Sequence, residues 1–181
     1  MKKKKMNGFL KALIYLGVLV VLFVATIWGT KYYFYDSDFA VKKTDLTAVS
    51  VDGIKIGMHI SEVDLSKYTQ AVTVVDDCNY NYEELSLKTD DEGRIVYIVA
   101  EYKNIDLYVG QEDNTTRIKK VNEVWKVLGS NHKEELYKSE ENNYRKISRY
   151  LDPDNDVYMG LIFSRYNNEM LGIILSAERI K

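Results

Sequence analysis

"GIKIGMHISEV", residues 53–63, sets two glycines and four large apolar side chains (Ile54, Ile56, Met58, Ile60) ahead of a short run of helical character. It reads either as a glycine loop that cradles a ligand or as a turn that admits the chain to a fold. A phosphate-binding loop needs a lysine and a hydroxyl after its last glycine, and a dinucleotide fingerprint needs a third glycine entering a helix. Here Gly57 is followed by Met58 and His59, so the architectural reading prevails: Ile54, Ile56 and Ile60 reach a core. On that reading Gly57→Val unfolds the body.

Outward from this stretch, strand and helix signals alternate. "LTAVSV" before it reads as a strand. "SEVDLSKY" after it reads as a short helix capped by Ser61, with Asp64 as its capping-box partner. "AVTVV", residues 71–75, has the β-branched composition of a strand. Two strand-like runs then flank Asp90, Asp91, Glu92 and Gly93, a hairpin signal. In "RIKKVNEVWKVLG", Ile118, Val121, Trp125 and Leu128 fall at helical spacing and Gly129 ends the helix. "HKEELYKSEENN" is polar and suits a helical turn or a loop. The remainder reads as three strands joined at "DPDND" and "YNNE", with Val157, Met159, Leu161 and Phe163 on one apolar face.

Residues 48–110 and 111–181 can be laid over one another: Ile60, Glu62 and Val63 align with Val121, Glu123 and Val124. A tandem repeat and a single undivided unit both accommodate this echo. The phrase carried by Ile54, Gly57, Met58, Ser61, Glu62 and Val63, and again by Glu123, Val124, Leu128 and Gly129, resembles the opening of small bacterial envelope domains. These are the domains related to the β-lactamase-inhibitor protein and to the small lipoprotein of the outer-membrane assembly machine. The first half departs from that pattern at Lys67 and Tyr68, where the family has Leu-Gly, and the second lacks Gly-Met. The resemblance implies helices packed on a curved sheet and a binding or scaffolding role rather than an enzyme.

Charge divides the chain. All 27 acidic residues lie beyond Lys31, whereas six of the 25 basic residues stand at or before it, leaving a basic tip on an acidic body. Between them residues 12–30 carry no charged side chain, long enough as a helix to reach across a hydrocarbon core of roughly 30 Å. Trp28 and the cluster Tyr32, Tyr33, Phe34, Tyr35 suit the membrane–water interface, and the lysines put the near end in the cytoplasm. A cleaved signal peptide shares the basic start, with Ile27 and Gly29 as its weak cleavage site. No cysteine near the start offers a site for lipid modification.

Chemistry-bearing residues are sparse. Cys78 is alone, so the choice lies between a small, mostly buried apolar residue and a disulfide between chains. His59 and His132 are distant in sequence and neither sits in a nucleophile motif. Asp152, Asp154 and Asp156 have the alternate spacing that opens a calcium loop, but Val157 and Phe163 stand where glycine and glutamate are needed, which favours a solvated hairpin turn. Asn114–Thr116 forms a glycosylation sequon by chance. The acidic body repels nucleic-acid phosphates.

The expectation from sequence is an α+β protein: a cytoplasmic tip (1–11), a transmembrane helix (12–31), a juxtamembrane linker (32–47) and an extracytoplasmic antiparallel-sheet domain (48–181) with short helices packed on one face. Its expected role is a non-enzymatic, membrane-anchored binding or scaffold module of the cell envelope, contacting lipid through residues 12–31 and a protein or cell-wall partner outside. No catalytic, metal or cofactor residue is expected. A sensor or regulatory subunit of a membrane complex, or an accessory to a cell-wall hydrolase, stands as the alternative.

Overall fold

The structure, a computed structural model of the 181-residue chain, describes residues 8–31, 44–75, 77–109, 116–138 and 144–177. It divides into two compact units, Met1–Ala40 and Val41–Lys181. The tip residues 1–7, most of the expected linker (32–43) and Asn114 lie outside the described residues.

Among its described residues the first unit holds one helix, α1 (Gly8–Lys31). Its described side chains, residues 15–29, are all exposed, Tyr15, Phe23 and Trp28 most of all. Among the described residues no helix is long and apolar enough to cross a membrane, which corrects the expected transmembrane helix at 12–31.

The second unit is built almost wholly of antiparallel strands: β1 (Val49–Val51), β2 (Tyr80–Asn81), β3 (Leu85–Thr89), β4 (Ile95–Glu101), β5 (Leu107–Val109), β6 (Thr116–Ile118), β7 (Lys133–Lys138), β8 (Tyr144–Asp152), β9 (Val157–Ser164) and β10 (Met170–Ser176). They form a seven-stranded sheet, β2-β3-β4-β10-β9-β8-β7, and a three-stranded sheet, β1-β5-β6. Among the described residues of this unit the one α-helix is α2 (Val121–Leu128). The α+β expectation is therefore corrected to a mainly antiparallel β body.

Local chemistry explains the missing helix. "SEVDLSKY" forms two 3-10 turns, Ile60–Glu62 and Leu65–Lys67. The cap of the first is His59, not Ser61: its Nδ1 accepts the Ser61 amide at 3.2 Å, while Glu62 accepts the His59 amide at 3.3 Å. Asp64 then accepts both the amide and the hydroxyl of Ser66, at 3.1 and 2.6 Å. An aspartate that satisfies nearby backbone itself competes with the helical ladder and restarts the chain.

The opening stretch lies along the start of β4. Gly57 donates to Ile95 O at 2.8 Å, Ile95 returns a bond to Met58 O at 2.9 Å, and Ile60 donates to Gly93 O at 2.9 Å. Gly57 takes φ +84, yet a side chain there would meet nothing within 4 Å. The expected unfolding by Gly57→Val is thereby reduced to a backbone-strain cost of about 1–3 kcal/mol.

Register sorts the large sheet into two faces. One carries Leu85, Leu87, Ile98, Ala100, Ile173, Leu175, Met159, Leu161 and Phe163, all buried. The small sheet and α2 share a core cluster with it through Val49, Val51, Leu107, Val109, Ile118, Val121 and Val124. Each such side chain, fully buried, contributes about 1.5–3 kcal/mol. Residues from 48–110 and from 111–181 meet in this one core, and β4 pairs directly with β10. The body also takes in residues assigned to the linker: Thr44 donates to Leu151 O at 3.0 Å, and Leu46 is 2% exposed.

Strand β7 arises where the sequence is polar. It pairs with β8 from Lys133↔Arg149 to Lys138↔Tyr144, and cross-strand pairs Lys146–Glu134 (2.9 Å) and Arg149–Glu135 (3.3 Å) run along it. Charges on a strand that ends a sheet also discourage edge-to-edge association.

Candidate functional site

The opposite, outer face of the large sheet is where an open groove forms. Its floor comes from two rows fixed by register, Ser86 beside Val99 and Glu101–Gly172–Ile162. Gly172 keeps the floor low, because a Cβ there would stand 3.2 Å from Ala100 O and 3.8 Å from the Ile162 side chain. The groove encloses about 520 Å³, within the usual range for binding clefts, and is open to solvent along its length.

Residues 71–75, expected as a strand, form its wall instead. Buried Asn81 explains the difference. Its carbonyl accepts the Ala71 amide at 3.1 Å and Gln70 Nε2 at 3.0 Å, its side-chain oxygen accepts the Val75 amide at 2.9 Å, and its Nδ2 donates to Cys78 O at 3.1 Å. One residue, through its main-chain carbonyl at Ala71 and its side chain at Val75, thus captures backbone that a strand ladder would have used. The consequence is exposed β-branched surface: Val72 is 97% exposed and Val74 65%. Leu171, beside the same groove, is also exposed.

Charge at the groove is mostly negative. Among the described residues, Glu83, Glu84 and Glu101 line it against one cation, Arg145. Glu84 accepts the Thr69 amide at 3.0 Å. Desolvation works against its ionisation, but the backbone amides bonded to it prevail and hold its carboxyl below the ordinary value. Glu101 pairs with Lys103 at 3.0 Å in an exposed arrangement worth little. No histidine or cysteine is among the described residues lining the groove. The open, partly apolar shape suits an extended or apolar ligand.

The residues singled out in the sequence are scattered over other parts of the body. His59 caps a 3-10 turn beside Gly93, with its Nδ1 2.7 Å from Ser61 Oγ. Cys78 is half-buried, and burial pushes its thiol pKa up, opposed by Lys88. Asp152 is not solvated: it is fully buried, and its Oδ2 accepts the Leu46 amide at 2.9 Å and Asn155 Nδ2 at 2.8 Å. This carboxylate fastens the entry segment to the end of β8, while Asp154 and Asp156 stay exposed in the turn.

A second polar cluster, between α2, β7 and β8, was not legible as a site. The His132 ring stacks on Trp125 with centroids 5.1 Å apart and an interplanar angle of 7°, and lies 5.2 Å from the Tyr150 ring. His132 Nε2 is 3.4 Å from Glu134, which also receives Lys146 at 2.9 Å. Burial opposes the charge on Glu134, but Lys146, then His132, outweigh it and hold its carboxyl below the usual range. Tyr150 donates to Gly129 O at 2.9 Å, closing the end of α2, and burial drives its phenol pKa far up. Through these ring contacts with Trp125 and Tyr150, the arrangement ties a helix to a sheet.

Compared with protein-family models, curated proteins and solved structures, the chain matches none.

Proposed function

We propose that the chain is a non-enzymatic binding or scaffold module of the cell envelope, held at the membrane through α1, with its β body on the extracytoplasmic side holding a protein partner in the outer-face groove. The observation that carries the reading is the apolar wall at residues 71–75, with Val72 97% exposed above a groove floored by Val99, Ile162 and Gly172. A contiguous exposed apolar surface in a folded body is a common mark of a contact site. The resemblance of residues 54–63 to envelope binding domains supports the same class of role, and the exposed apolar side chains of α1 support contact with lipid.

Site-specific photocrosslinking in intact cells tests the groove. A photoreactive side chain at Val72 is expected to give discrete protein adducts, and the same group at Pro153, in the distant β8–β9 turn, is not. Equal labelling from both positions, or none from Val72, ends the groove reading. Protease added to intact cells is expected to remove the β body; survival of the body until the cells are lysed would refute its placement outside.

A further inference from the structure

We infer that the groove takes a cationic, apolar-anchored extended segment of a partner protein, an inference that rests on the groove reading above. Two independent features of the wall and rim set this chemistry. The first is apolar lining from separate segments along an open cleft: Val72 and Val75 of the wall, Leu171, and Val99 and Ile162 of the sheet. An extended chain places side chains on opposite faces every second residue, so one set enters such a cleft while the other faces the rim.

The second feature is charge. Glu83, Glu84 and Glu101 contribute three carboxylates along the groove against Arg145. The Glu83 carboxylate makes no ion pair or hydrogen bond among the described residues, and Glu83 is exposed. The Glu101 carboxylate is held by an exposed lysine that a partner's cation can replace, since such a pair contributes little of its own. Desolvating the rim beneath an anionic ligand brings like charges together, whereas a lysine or arginine at the alternate positions meets opposite charge. The acidic excess of the body beyond Lys31 extends the same bias to longer range and favours encounter with a basic partner. A negatively charged lipid surface is disfavoured on the same ground.

The test uses the full chain in detergent and two synthetic probes, an alternating Lys-Val hexapeptide and its Glu-Val counterpart, both terminally blocked. Titration is expected to show binding of the Lys-Val probe alone, weakened by added salt. Glu83→Gln with Glu101→Gln is expected to reduce that binding about tenfold, and Val72→Ser to reduce it at unchanged salt dependence. All three positions are surface positions, and an unchanged melting temperature confirms that the variants fold. Equal or tighter binding of the Glu-Val probe, no binding of the Lys-Val probe, or indifference to the Gln substitutions overturns the inference. So does binding to vesicles of anionic phospholipid that the Gln substitutions leave intact. Protein adducts from Val72 in cells that persist with both Gln substitutions present would spare the groove reading and sink the cationic one.

Discussion

His59 and Gly93 show how a single atom's position decides a residue's importance. Gly57 and Gly93 both take positive φ, +84 and +78, where a side chain is strained. At Gly57 the space beyond is open, so Gly57→Ala is expected to cost about 1 kcal/mol of backbone strain alone. At Gly93 an added Cβ would stand 2.8 Å from His59 Nε2, and that ring is held by Ser61. Gly93→Ala is expected to cost about 2–3 kcal/mol, adding the displaced cap to the strain. Urea denaturation checks both, and His59→Ala in the Gly93→Ala background should recover part of the loss; strict additivity of the two changes would refute the contact. Asp152→Ala strands the Leu46 amide and is expected to cost about 1–3 kcal/mol.

At the scale of elements, β7 is the clearest case of structure made by a partner. Its sequence lacks the alternating apolar pattern of a buried strand, and pairing with β8 supplies the order. Glu134 carries the pH dependence of that pairing. Its folded pKa lies below the unfolded value, so the stabilisation is fully present above the unfolded pKa and is lost as pH falls through the folded one. Glu134→Gln is therefore expected to lower the melting temperature at pH 7, and the gap to the native chain should close at pH 3. A gap of equal size at both values would show that the carboxylate's charge contributes nothing; because the side chain is about a third exposed (34%), the effect is kept under about 1 kcal/mol. Tyr150→Phe removes the bond to Gly129 O while keeping the ring contact with His132, and is expected to cost about 1 kcal/mol in the same melts.

For the whole molecule, the division into Met1–Ala40 and Val41–Lys181 predicts that the β body unfolds as one cooperative unit. Removing residues 1–40 is expected to leave its melting temperature within about 2 °C, whereas removing residues 1–47 also strips Thr44 and Leu46 from the core and should lower it by several degrees. Coincident melts for the two truncations would place the start of the body after 47. The single core beneath both halves also means that residues 48–110 expressed alone should fail to fold, because β4 would lose β10 and expose Ile98 and Ala100.

Much of this body was legible because its signals are local. The hairpin around Gly93, the stop of α2 at Gly129 and the alternation of Val157, Met159, Leu161 and Phe163 each depend on neighbours within a few residues, and the structure has all of them. By itself the sequence also determined the segregation of charge between a basic start and an acidic remainder. The groove depended on distant partners. Residues 71–75 have strand composition, yet Asn81 claims their amides; β7 has loop composition, yet β8 pairs with it; Asp152 looks solvated, yet Leu46 buries it. Composition reports what a segment prefers on average, whereas a hydrogen bond from a residue far along the chain is settled only once the fold has brought the two together. The candidate site, made of one captured loop and two rows of a sheet, is of that second kind.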